Sequence, residues 1–154
     1  MKKPINEMIV KLKADSVNER FARAMVASFC VQAEPSLDEI TDIKTAVSEA
    51  VTNCVVHAYP KKTGKISIWV GLTSARDIDI KISDAGVGIS DFEKAREPFF
   101  TTKPDEERAG MGFTVMESFM NSVVLRKNGD RGVVVEMRKT LTHKKCVALG
   151  GEND

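Results

Sequence analysis

No stretch of this sequence approaches the roughly 20 consecutive apolar residues that a membrane-crossing helix needs, so no membrane partner is expected. The first ten residues set Lys2, Lys3 and Glu7 among their apolar side chains and lack the unbroken apolar segment of a secretory signal. An excess of charge is also missing: 23 Lys and Arg stand against 22 Asp and Glu, a formal net charge of +1. Without a basic surface to displace counterions from phosphates, direct binding to nucleic acid is not expected, and any link to transcription runs through protein contacts. Cysteine is scarce, with Cys30, Cys54 and Cys146 odd in number and widely spaced. They match neither a metal-ligand pattern nor a disulfide framework. They read as small buried hydrophobes or idle thiols in a reducing cytoplasm. There is no internal repeat and no low-complexity linker. Two glycine motifs are absent as well: no G-x-x-x-x-G-K-[ST], which excludes a P-loop, and no G-x-G-x-x-G of the dinucleotide-binding or kinase type.

What remains is an ordinary globular composition, 42% apolar and 29% charged over 154 residues, suited to one domain with one core. That core is expected over about residues 6–140, with a polar tail at 141–154. Met8, Val10 and Leu12 alternate with charged residues as in a strand. Asp15 or Ser16 then caps a helix whose apolar residues (Phe21, Ala24, Met25, Phe29) recur at helical spacing to about Val31. Ser36 followed by Glu39 forms a capping box. From Leu37 an amphipathic helix runs to about Ala58, where Tyr59-Pro60 ends it. Two alternating runs, Ile66 to Leu72 and Ile78 to Ile82, form a hairpin across Thr73–Asp77. Asp91 to Ala95 reads as a short helix. Arg96 to Gly112 has no period and holds Pro98, Pro104, Gly110 and Gly112, the signature of a lid or binding loop. Phe113 to Met120 reads as a helix, followed by a hairpin of Ser122–Lys127 and Val133–Lys139. This order predicts an α+β fold, a two-layer sandwich with a mostly antiparallel mixed sheet.

Three motifs bear on chemistry. Glu49, Asn53 and His57 recur every four residues and so line one helix face. A carboxylate there can take a proton from a hydroxyl, and an amide oxygen one turn on suits Mg²⁺, a hard ion that prefers oxygen and keeps several waters. Taken alone, the row is an ordinary solvated helix face, and His57 a favourable charge at a helix end. Asp84-Ala85-Gly86-Val87-Gly88 follows a strand. A carboxylate at that position can accept from an exocyclic amino group such as that of adenine, and glycines let backbone approach a flat ring; a plain Asp-Gly turn reads the same way. Gly110-Met111-Gly112-Phe113 opens a helix, where free N–H groups bind phosphate, or where two glycines serve as a hinge.

Together, and in this order, the three resemble the N, G1 and G2 boxes of the GHKL superfamily, whose fold is the Bergerat α/β sandwich. Phe21-Ala22-Arg23, the run from Asp42 to Asn53, Phe100-Thr101-Thr102-Lys103-Pro104 and Gly110-Met111-Gly112-Phe113 resemble more narrowly the anti-sigma-F family of sporulation, over about Asn6 to Lys139. Members of that family bind Mg-ATP, sequester a sporulation sigma factor as a dimer and phosphorylate a serine of an anti-anti-sigma protein. The resemblance implies that Glu49 is the base for the incoming serine, Asn53 the Mg²⁺ ligand and Asp84 the adenine contact. Gly86, Gly88, Gly110, Met111, Gly112 and Phe113 then shape the ATP pocket with Thr101, Thr102 and Lys103. Arg108 reaches the terminal phosphate or the partner protein, and Arg23 docks the protein partners. Ala58 departs from the family, which has glycine after the N-box histidine, and the segment Pro60–Lys65 is shorter than usual. Three other readings share parts of this pattern: a nucleotide-gated sigma-binding module without kinase activity, the stress-response relative with another sigma partner, and a histidine-kinase catalytic domain. The last needs a phosphoacceptor-histidine domain for which 154 residues leave no room.

Overall fold

The computed structural model describes residues 2–59, 64–88 and 112–142. Strand β1 (Asn6–Lys13) leads into helix α1 (Val17–Cys30). Of the two expected caps, Asp15 serves: its Oδ1 accepts from the Val17 N–H at 3.0 Å, whereas Ser16 makes no side-chain cap bond. A single 3₁₀ turn, Val31–Ala33, tightens the helix end, and Glu34 takes a left-handed conformation (φ 56°) that stops it. Helix α2 (Leu37–Asn53) starts with the reciprocal capping box, Glu39 N–H donating to Ser36 Oγ (3.1 Å) and Ser36 N–H to Glu39 Oε1 (2.9 Å). The other oxygen of the same carboxylate, Glu39 Oε2, accepts from the Thr142 N–H at 2.8 Å and so fastens the chain beyond the last strand to the start of α2.

Four antiparallel pairings assemble β1, β2 (Lys65–Leu72), β3 (Asp77–Asp84), β5 (Val133–Thr140) and β4 (Ser122–Lys127), in that spatial order, into one sheet. The mixed character expected from the sequence is not seen among the described residues, where each pairing is antiparallel. Hairpins join β2 to β3 and β4 to β5, while α3 (Gly112–Phe119) precedes β4.

Alternation along the strands makes the two layers. Ile66, Ile68 and Val70 of β2 and Ile78, Ile80 and Ile82 of β3 share one face, and all are fully buried. They pack under Ala22 and Val26 of α1, Ile43, Val47 and Val51 of α2 and Met116 of α3. Burying each such aliphatic side chain contributes about 1.5–3 kcal/mol relative to exposure. The opposite face is polar. There Arg138 forks onto the fully buried Asp79 at 2.6 and 3.0 Å, Trp69 Nε1–H donates to Glu7 at 2.6 Å, and Lys81 lies 5.4 Å above the Trp69 ring. No helix among the described residues is long and apolar enough to cross a membrane.

One boundary differs from expectation in a way that shapes the site. The α-helix expected to reach Ala58 stops at Asn53, and Cys54–Ala58 form a π-helical turn. The wider turn ends with the Ala58 carbonyl facing the loop after β3, where it accepts from the Val87 N–H at 2.9 Å. Single π turns of this kind are frequent at functional sites. The short helix expected at Asp91 to Ala95 and the loop from Arg96 through Met111 lie outside the described residues.

Candidate functional site

The site forms where α2, the end of β3 and the start of α3 converge. Spacing of four on α2 places Glu49 and Asn53 one turn apart on one face. Both face Gly112: a Cβ added there would lie 3.2 Å from Asn53 Oδ1 and Nδ2 and 3.5 Å from Glu49 Oε1. The side-chain-free α-carbon is what lets the N-terminus of α3 come this close to the two polar groups. Glu49 is 3% exposed, a carboxylate in a position that neutral packing would not select. Asn53 Nδ2 is buried without a hydrogen-bond partner. Such an atom carries a desolvation cost, and turning the amide over puts its oxygen in the same place. An unmet amide beside a carboxylate fits a hard cation that takes oxygen ligands, while the free N–H groups at the start of α3 suit the phosphates that such a cation accompanies. Among the described residues no group of three or more His, Cys, Asp or Glu stands ready to hold a metal by itself. A cation here would therefore share its shell with waters or phosphates, as Mg²⁺ commonly does.

Asp84 ends β3 and is 7% exposed. Its Oδ1 accepts from the N–H groups of Gly86 (2.9 Å) and Val133 (3.3 Å), and its Oδ2 receives the Cys54 thiol at 3.6 Å. Its backbone carbonyl accepts from Asn128 Nδ2 at 2.6 Å. Burial pushes the Asp84 carboxyl above the usual carboxylate range, while the Gly86 and Val133 N–H groups and the Cys54 thiol pull it back. Cys54 is driven well above the usual thiol range, first by burial and then by the negative charge of Asp84.

The loop after Asp84 is stitched to the end of the α2 segment. Ala85 N–H donates to Tyr59 Oη (2.8 Å), whose hydroxyl donates in turn to the Lys65 carbonyl (2.9 Å). A Cβ on Gly86 would collide with the Ala58 carbonyl, so this close approach requires glycine. On its other side the loop meets the β4–β5 turn, where Gly132 has φ +87° and passes against the Asp84 carbonyl.

Of the residues expected from the sequence, Glu49, Asn53 and Gly112 are in mutual proximity, and Asp84, Gly86 and Gly88 form the adjoining loop. Phe113 packs half-buried against the core. Thr101, Thr102, Lys103, Arg108, Gly110 and Met111 lie outside the described residues. Arg23 belongs to α1 and pairs at 3.7 Å with Glu19 one turn earlier. Sequence reasoning missed Cys54, Ala58, Tyr59, Asn128 and Gly132. A signal existed for the last of these: once β3 pairs with β5 in the register Ser83 to Val134, the turn before β5 must lie beside Asp84.

Comparison with known proteins identifies the family. The model of the histidine kinase-like ATPase domain matches residues 12–139. The chain is 50% identical over 134 residues to an anti-sigma F factor of Caldanaerobacter subterraneus, covering 87% of this chain and 93% of that protein. With an anti-sigma F factor of Bacillus subtilis it shares 47% identity over 143 residues, covering 92% and 97%. Among solved structures, the RsbU and RsbW domains of Rv1364c from Mycobacterium tuberculosis superpose with a TM-score of 0.67 at 19% identity, over 92% of this chain and 34% of that one. Motifs, fold and relatives agree: the chain belongs to the histidine kinase-like ATPase domain family and, within it, to the anti-sigma F factors.

Proposed function

We propose that this chain is a serine protein kinase that uses Mg-ATP to phosphorylate an anti-anti-sigma protein, and that it also sequesters a sporulation sigma factor. The observation that carries the kinase half is the buried Glu49 beside Asn53 and Gly112. A trap that only binds nucleotide has no use for a buried carboxylate, whereas a kinase needs a proton acceptor within reach of the attacking hydroxyl. In this reading Glu49 orients the serine and accepts its proton. Asn53 holds Mg²⁺, which when bound neutralises charge on the phosphates. Asp84 accepts from the adenine amino group, and Gly86 and Gly88 admit the ring. Gly110, Met111, Gly112 and Phe113 bring backbone N–H groups to the phosphates, with Thr101, Thr102 and Lys103 completing the pocket. Arg108 supplies the cationic partner of the terminal phosphate, a role its planar guanidinium suits.

The reading extends to a cytoplasmic homodimer formed by one domain per chain, with Arg23 docking both protein partners. Arg23 is about one-third exposed and pairs with Glu19 at 3.7 Å, a surface pair of small worth, so its guanidinium is available at modest cost. Arg23→Glu is expected to weaken binding of both the sigma factor and the anti-anti-sigma protein by at least about tenfold, the scale of a lost charged interface contact, with ATP affinity unchanged. Titration calorimetry with each partner checks this; wild-type affinity for both moves the docking surface elsewhere.

The deciding experiment is transfer of labelled phosphate from Mg-ATP to a purified anti-anti-sigma protein, with its serine-to-alanine variant as control. Serine-dependent labelling is expected. Nucleotide binding without labelling replaces the kinase by a nucleotide-gated sigma-binding module.

A further inference from the structure

We propose that Cys54 is a positioning residue that aims the Asp84 carboxylate at the base of a bound purine nucleotide. The inference rests on the reading of Asp84 as the adenine contact and adds a second residue to it. Asp84 is held from three directions. Its Oδ1 takes two backbone N–H donors, from Gly86 in its own loop and from Val133 at the start of β5. Its carbonyl is held by Asn128 in the β4–β5 turn. Among the described residues, the one side chain donating to the other carboxylate oxygen, Oδ2, is the Cys54 thiol at 3.6 Å, which leaves Oδ2 as the oxygen with acceptor capacity to spare.

A thiol suits this place because of what it does weakly. As a poor donor it sets the rotation of the carboxylate without satisfying Oδ2, so acceptor capacity remains for an exocyclic amino group. Cys30 is the internal contrast. It is equally buried in the core between the layers, and its thiol is pushed up to about 12 by burial alone, with no carboxylate partner. Cys30 fills space; Cys54 fills space and holds an acceptor. Cys54 also follows Asn53 directly and opens the π turn, so one stretch of backbone carries both the residue proposed for the metal and the one proposed to set the base contact.

The test compares the dissociation constants of ATP and of the triphosphate of purine riboside, which lacks the 6-amino group, for wild type, Cys54→Ala and Cys54→Ser. Wild type is expected to prefer ATP. Cys54→Ala is expected to weaken ATP by about fivefold, the scale of one well-placed hydrogen bond, and to leave the deaminated analogue unchanged. Cys54→Ser keeps a donor and is expected to retain the ATP preference. A purely packing role predicts another order: Ala weakens both nucleotides equally, and Ser, which buries a hydroxyl, is worse than Ala. That pattern, or a Cys54→Ala protein with wild-type preference, overturns the proposal. A wild type that binds both nucleotides equally overturns the adenine reading of Asp84 itself, a failure visible before any variant is made.

Discussion

Glu49→Gln is expected to slow phosphate transfer to serine by about 10²- to 10⁴-fold, the range that a positioned general base contributes, while ATP and sigma-factor affinities stay within about twofold of wild type. Glutamine preserves the shape of a side chain that is almost fully buried beside Asn53 and Gly112 and removes its charge and its ability to accept a proton. Glu49→Ala is expected to give the same loss of transfer, with an added small cost in stability from the space it opens. The two substitutions together separate charge from packing. Single-turnover transfer of labelled phosphate measures the chemical step, and calorimetry with nucleotide and with sigma factor shows that binding survives. Undiminished transfer in the glutamine variant would place the proton acceptor elsewhere. Loss of nucleotide binding in both variants would mean that Glu49 shapes the pocket rather than serving the reaction.

The strands and helices of the described fold were legible because each carries its own local signal. The alternation of Ile66, Ile68 and Val70 with Ser67 and Trp69 gives the two-residue period of a strand, and Ser36 with Glu39 marks a helix start by side-chain chemistry alone. Less legible were features that depend on what sits opposite in space. Nothing in Cys54-Val55-Val56-His57-Ala58 distinguishes a π turn from a continued α-helix; that widening goes with the Ala58 carbonyl's bond to Val87, 29 positions away in chain order. Tyr59 reads as part of a helix stop, yet its hydroxyl links Lys65 to Ala85. Cys54 reads as an inert core residue because a lone cysteine carries no pattern, and its meaning comes only from Asp84. Glu49, Asn53, Asp84 and Gly112 stood out because their spacing and order resemble the boxes of a known family, and the structure brings Glu49, Asn53 and Gly112 together. The residues that hold Asp84 in place have no spacing rule, since they arrive from three separate elements.

Gly132→Ala tests whether that support is mechanical. Gly132 has φ +87°, a backbone region that costs an alanine roughly 1–2 kcal/mol. Its Cβ would also run into the Asp84 carbonyl and lie 2.7 Å from the Ala85 α-carbon. Both obstacles are backbone, so neither can swing aside as a flexible side chain would, and overpacking of this kind costs about 1–3 kcal/mol. The sum predicts a loss of about 3 kcal/mol. Gly129→Ala is the matched control. It lies in the same turn with φ +62°, but its Cβ meets nothing within 4 Å, so only the conformational cost of about 1 kcal/mol applies. Urea unfolding at constant slope compares the two directly. Because Gly132 presses on Asp84 and Ala85, the effect reaches function as well. At a temperature where both variants are folded, Gly132→Ala is expected to lower ATP affinity by about tenfold or more, the result of displacing the proposed adenine contact Asp84, with Gly129→Ala close to wild type. Equal losses of stability in the two variants would show that the turn yields and the Asp84 loop does not lean on it. A destabilised Gly132→Ala with wild-type ATP affinity would separate the turn from the nucleotide site.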